Sequence, residues 1–148
     1  MFVPDGFEPP LALAAESFRL EPLGPEHNER DHAAWSSSVE HILASPGYGS
    51  DSTWPRPMSS EENRADLERH ARDFTERTGF TYTVLDLDGD VVGCVYVYPA
   101  ADEEHDAHVQ SWVRGSRAEL DLPLREVVAA WLVRDWPFER PRYEPLLD

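Results

Sequence analysis

Apolar positions follow two periods along this chain, and each predicts its own kind of element. Leu120, Leu124, Val127, Val128, Trp131 and Leu132 fall at i, i+4, i+7, i+8, i+11 and i+12, which lines one face of a 3.6-residue spiral. A helix resting on a sheet is expected there. The segment before it, Ala107-His108-Val109-Gln110-Ser111-Trp112-Val113, alternates small or apolar with polar or large side chains, as a strand with two unlike faces does. Upstream, residues 80–87 and 91–98 are β-branched and aromatic runs on either side of Asp88-Gly89-Asp90. A glycine there supplies the positive φ of a tight turn, so the two runs should pair as an antiparallel hairpin ended by Pro99.

The remaining elements are shorter. Ser17-Phe18-Arg19-Leu20-Glu21-Pro22-Leu23 alternates and stops at Pro22 and Pro25, which predicts an edge strand. Glu26 to Ala44 predicts one helix with Trp35, Val39, Ile42 and Leu43 on its buried face and Ser45-Pro46-Gly47 as its stop. Residues 47–55 read as a loop whose Tyr48 and Trp54 either line a cleft or cap the core edge. Ser59-Ser60-Glu61-Glu62 offers a capping box for a second helix with a thin seam of Leu67, Ala71 and Phe74, ending by Gly79. An acidic loop fills 101–106, and a last strand is expected within Trp136 to Tyr143, interrupted by Pro137 and Pro141.

A chain of 148 residues with 41% hydrophobic content suits one domain, assigned to 16–148, behind a proline-bearing arm at 1–15 that crosses the surface or a partner subunit. The formal charge of -16 opposes nucleic acid and anionic membrane surfaces as partners. Every basic residue besides histidine is arginine, so a lysine nucleophile is excluded. The single Cys94 lies in an apolar run and reads as core. The first fifteen residues lack a basic start and are broken by Asp5, Gly6, Pro9 and Pro10, which leads to the expectation of a cytoplasmic protein.

The order β, α, α, β, β, β, α, β, with the hairpin Val84-Leu85-Asp86-Leu87-Asp88-Gly89-Asp90-Val91-Val92-Gly93 leading to Trp112-Val113-Arg114 and a helix, resembles the GNAT superfamily of N-acetyltransferases over roughly Glu16 to Tyr143. The resemblance implies an α+β fold: a mixed, mostly antiparallel sheet with flanking helices, shortened at its C-terminal side. It also implies acetyl transfer from acetyl-CoA to a small-molecule or peptide amine. Trp112, Val113 and Arg114 would end the strand that binds the coenzyme arm beside an open V between two parallel strands, with Arg117 at the phosphates. The family places a Gln/Arg-x-x-Gly-x-Gly/Ala loop next, whose backbone N–H groups cradle the pyrophosphate. Ala118-Glu119-Leu120-Asp121-Leu122-Pro123 stands there without a glycine, and Asp121 reads as an N-cap that takes one of the free donors. By the same resemblance Tyr143 stands near the general-acid tyrosine, and a second copy of the chain would complete the shortened sheet as a homodimer.

Acetyl transfer needs a base for the amine proton and donors for the thioester oxygen. His108 and Gln110 share one face of the central strand, which makes His108 the candidate base; His27, His32, His41 and His70 fall on presumed helix surfaces. Asp102, Glu103, Glu104, His105, Asp106 and His108 crowd possible metal ligands without a recognised spacing, so no metal site is assigned. Two readings stand: a small acetyl-CoA-dependent N-acetyltransferase, and a non-catalytic GNAT-like binding or oligomerisation module.

Overall fold

The predicted hairpin forms the middle of a six-stranded sheet in a computed structural model that describes residues 1–49 and 53–148. Strands β1 (Leu13–Ala14), β2 (Phe18–Pro22), β3 (Phe80–Asp86), β4 (Val91–Tyr98), β5 (Ala107–Val113) and β6 (Pro141–Arg142) lie side by side in chain order. All neighbours are antiparallel except β5 and β6, which pair in parallel through Ala107↔Pro141 and His108↔Arg142. At the hairpin turn Gly89 takes φ 88°, and Asp86 Oδ1 accepts hydrogen bonds from the Asp88 and Asp90 N–H groups at 3.0 Å each. Every residue of β3 is buried, as its unbroken β-branched and aromatic run requires. In β4 a Cβ on Gly93 would stand 2.4 Å from the Trp112 carbonyl oxygen, so only glycine lets β4 and β5 approach there.

Both faces of the sheet are covered. Helix α4 (Asp121–Asp135) sets Leu124, Val128, Trp131 and Leu132 against Tyr82, Val84, Val95 and Val97 on one face. On the other, α1 (Asn28–Ser36), α2 (Val39–Leu43) and α3 (Ser60–Glu76) bring Trp35, Ile42 and Leu67 onto Leu85, Cys94 and Trp112. The capping box of α3 is as the sequence spells it: Ser59 Oγ accepts from the Glu62 N–H (3.1 Å) and Glu62 Oε1 from the Ser59 N–H (2.9 Å). Ser59→Ala should therefore lower stability by about 1 kcal/mol in urea denaturation. No loss would mean that water replaces the cap.

Several expectations need correction. The helix predicted over Glu26 to Ala44 is a 3-10 turn at Pro25–His27 followed by α1 and α2, because Ser37 Oγ bonds back to the Ala33 and Ala34 carbonyls and Ser38 leaves the helix at φ -132°. The break turns Leu43 outward, to 39% exposure. Asp121 does not cap α4: a 3-10 turn (Gly115–Leu120) precedes the helix, Leu120 is the cap residue, and the Asp121 carboxylate pairs instead with Arg125 Nε at 3.3 Å. The last strand shrinks to Pro141–Arg142, since buried Trp136 stacks on half-buried Phe138 at the core edge and Pro137 has no N–H for a ladder. Of the two courses expected for the N-terminal arm, it follows that over its own domain: β1 pairs with β2, Val3 is buried, and Tyr82 Oη donates to the Pro10 carbonyl at 2.7 Å. Of the predicted loop at 47–55, residues 50–52 lie outside the described residues.

Candidate functional site

The break between α1 and α2 and the long α3 leave a pocket over the β4–β5 face, with a cavity volume of about 350 Å³. A buried polar network holds one wall. Trp35 Nε1 donates to Asn63 Oδ1 (3.0 Å), and Asn63 Nδ2 donates to Asn28 Oδ1 (2.8 Å) and Asp31 Oδ2 (3.1 Å). Asn63 thereby uses both amide hydrogens, one of them on the Asp31 carboxylate. Asp31 is only 4% exposed, and burial raises its pKa to about 6 against the hydrogen bond from Asn63. Trp35, Tyr48, Trp54 and Tyr96 supply rings, with centroids 5.3 Å (Trp35–Trp54), 6.0 Å (Tyr48–Trp54) and 6.5 Å (Trp54–Tyr96) apart.

His70 enters the same pocket from α3, against the expectation of a surface residue. The narrow seam of α3 turns this ring inward as well as Leu67, which no apolar pattern could reveal. His70 Nδ1 lies 2.9 Å from both Tyr98 Oη and Thr81 Oγ1, while Tyr98 Oη donates to Asp73 Oδ2 at 2.8 Å. His70, Thr81, Tyr98 and Asp73 thus form one hydrogen-bonded cluster around Nδ1, in which Tyr98 donates to Asp73. Burial, aided by Arg69, lowers the His70 pKa to about 4, so the ring is neutral at pH 7. His27 is also buried rather than exposed, with Nδ1 accepting from the Gly24 N–H and Nε2 2.9 Å from Glu21 Oε2. His32 and His41 are half-buried, His32 Nε2 2.8 Å from the Met58 carbonyl oxygen and His41 Nε2 buried without a partner among the described residues.

The candidates read from the sequence are dispersed. Gln110 lines the pocket and donates to the Gly47 carbonyl at 2.8 Å. His108 points to another neighbourhood, where burial and then Arg142 lower its pKa and Glu144, Asp102 and His105 add their charges. Trp112 is wholly buried, its Nε1 donating to Tyr96 Oη at 2.9 Å, and Val113 belongs to the core. Arg114 Nη1 donates to the Val91 carbonyl (3.2 Å), whereas Arg117 is taken by two carboxylates, Asp86 Oδ2 at 2.9 Å and Glu119 Oε2 at 3.1 Å. Tyr143 is 0% exposed, its hydroxyl 2.5 Å from Ser111 Oγ, and burial pushes its pKa up to about 12. In the acidic loop Asp102 accepts from the Glu104 and His105 N–H groups, and among the described residues no cluster of three or more such side chains is arranged to hold a metal.

No protein-family profile and no curated protein matches the sequence. Solved structures do match the architecture. The ribosomal-protein-S5-alanine acetyltransferase from Vibrio fischeri superposes with a TM-score of 0.67 at 14% identity, over 90% of this chain and 73% of that one. This is the GNAT acetyltransferase fold. RimL, a ribosomal-protein α-N-acetyltransferase solved with coenzyme A, gives 0.62 at 15% identity over 84% and 67%. The microcin C7 self-immunity acetyltransferase MccE, solved with acetyl-CoA and AMP, gives 0.59 at 9% over 79% and 63%.

On the GNAT fold the groove for the coenzyme arm should open where the parallel strands β5 and β6 part. In this chain side chains occupy that gap. Beyond the His108↔Arg142 pair, Tyr143 turns inward onto Ser111, and the guanidinium of Arg125, 3% exposed, spans both sides by donating to the Ser111 carbonyl (3.4 Å) and the Glu144 carbonyl (2.7 Å). Arg125 also lies 5.6 Å over the Tyr143 ring. Ahead of α4 three backbone donors are already engaged: Gly115 N–H donates to Ser38 Oγ (2.8 Å), Arg117 N–H to the Arg114 carbonyl (2.9 Å) and Asp121 N–H to the Ala118 carbonyl. Pro123 has no N–H to offer, and Glu119 and Asp121 bring negative charge.

Proposed function

We propose that this chain is a GNAT-fold binding domain that uses the pocket between α1, α3 and the β4–β5 face and does not transfer acetyl groups from coenzyme A. Tyr143 carries this reading. A fully buried phenol hydrogen-bonded to Ser111 fills the parting of the parallel strands, and a pantetheine arm could enter only by expelling it. Ejecting a buried aromatic side chain costs about 3 kcal/mol in lost burial alone, before the Arg125 contacts are broken. Calorimetric titration with acetyl-CoA tests the proposal: no saturable heat up to about 1 mM is expected. Micromolar binding, with coenzyme release on adding an amine, would end it.

The second reading is acetyl transfer to an amine, and the solved GNAT structures with coenzyme A and acetyl-CoA favour it. On that reading the amine would occupy the same pocket. His70 lines the pocket and His108 does not, so on that reading His70 takes the place of His108 as the candidate base.

A further inference from the structure

Helix α4 carries apolar side chains on both of its sides. The inner side sets Leu124, Val128, Trp131 and Leu132 in the core, as a helix resting on a sheet must. Its outer side should then be polar, as that of α3 is, where Glu61, Glu62, Arg64, Glu68, Arg72 and Glu76 stand in solvent. Instead Leu122 (56%) and Val133 (71%) are exposed together with Pro123 and Ala130, and Val127 is half-buried beside them. Apolar side chains gathered on one exposed face mark a contact surface. Two charges on that face say what covers it. Glu126 and Arg134 flank Ala130 at i-4 and i+4, about 6 Å along the axis in either direction. The Glu126 carboxylate has no hydrogen-bond or ion-pair partner among the described residues. Arg134 is held by its neighbour Asp135 alone, Nε at 3.1 Å and Nη2 at 3.0 Å, an exposed pair that contributes little.

We propose that the outer face of α4 is a self-association surface, on which a second copy of this chain docks antiparallel about a two-fold axis at Ala130. Two α4 helices laid in that way bring Glu126 of one copy against Arg134 of the second, and the symmetry repeats the pair. Val127 meets Val133 of the second copy, again twice. The small Ala130 at the crossing lets the axes approach to the short end of the usual 8–10 Å, about the spacing of close-packed helices. The face thus carries its own complement, which is the requirement of an isologous contact and not of a contact with an unrelated partner. Charge points the same way. The excess of acidic residues, 29 against 13 arginines, keeps copies apart over most of the surface, whereas Glu126 and Arg134 cancel on this face. A single helix crossing lies at the small end of specific interfaces, so a dissociation constant on the order of 100 µM is expected. The inference does not depend on what the pocket binds.

The test is sedimentation velocity on the intact protein from about 10 µM to about 1 mM, in about 0.15 M sodium chloride, where repulsion between the net charges of two copies is screened beyond about 8 Å. The mass is expected to rise toward that of a dimer over this range. Glu126→Arg and Arg134→Glu each set like charges against one another across the axis and should weaken association about tenfold or more. The double variant Glu126→Arg/Arg134→Glu exchanges the two partners and should return to within about threefold of the wild type, a coupling that requires the two positions to face each other. Val133→Asp should abolish association. All these side chains are exposed, so circular dichroism and the urea midpoint of each variant should stay close to those of the wild type. A wild type that is still monomeric at the top of the range overturns the proposal. So does a dimer that the single variants leave intact, or a double variant as weak as either single one.

Discussion

Asp31→Asn should make this protein more stable at neutral pH, by up to about 3 kcal/mol. Burial raises the Asp31 pKa from 3.8 to about 6, and each tenfold change in proton affinity is worth about 1.36 kcal/mol. The sign follows from which state holds the proton. Between pH 4 and 6 the folded chain keeps it on Asp31 and the unfolded chain has lost it, so stability falls as pH rises through this window and stays low above it. His70 has the opposite effect. Its folded pKa, about 4, lies below the ordinary 6.5, so between those values the unfolded chain binds the extra proton and stability rises with pH. The two slopes oppose each other in the wild type. Urea denaturation from pH 4 to 7.5 should therefore give a shallow profile for the wild type, and for Asp31→Asn one that climbs with pH. An Asp31→Asn variant less stable than wild type at pH 7.5 would show that the carboxylate is compensated in the folded state. A gain would match the familiar exchange of stability for a prepared site.

Tyr143→Ala should act in the other direction, lowering stability by about 3–5 kcal/mol, the usual loss for a large aromatic side chain removed from a core. Two further effects add to the cavity. Ser111 Oγ loses its partner in the interior, and Arg125, barely exposed, loses the ring it lies over. The turn held by Tyr143 N–H to the Leu147 carbonyl (2.8 Å) and Leu147 N–H to the Tyr143 carbonyl (2.7 Å) should loosen as well. Hydrogen exchange at Tyr143 and Leu147 together with chemical denaturation checks both. A loss under about 1 kcal/mol would contradict the core assignment. The variant also probes the coenzyme side, because binding of acetyl-CoA that appears only in Tyr143→Ala identifies this ring as the obstruction.

The sheet was legible in the sequence because its signals are local. The Asp88-Gly89-Asp90 turn, the β-branched runs beside it and the spacing from Leu120 to Leu132 each declare an element within a dozen residues. The break at Ser37 and Ser38 was not, since Trp35, Val39 and Ile42 keep helical spacing across it, and Ser38 Oγ accepts from the Gly115 N–H, 77 positions away, which no local pattern announces. Nor was the pocket. Asp31, Asn63 and His70 sit in charged helix stretches that read as solvated faces, and they become a site only when α1 and α3 cross the β4–β5 face. The glycine-free segment before α4 led to the expectation of an altered phosphate loop, which the acetyl-CoA titration addresses. The role given there to Asp121 was wrong, because the choice between capping an amide and pairing with Arg125 depends on the 3-10 turn ahead of it.

The reciprocal main-chain bonds between Tyr143 and Leu147 also bear on how copies of this molecule meet. A sheet margin recruits neighbours through unclaimed peptide groups, and at Tyr143 they are claimed from within. Self-association by continuing the ladder past β6 is thus discouraged at that point.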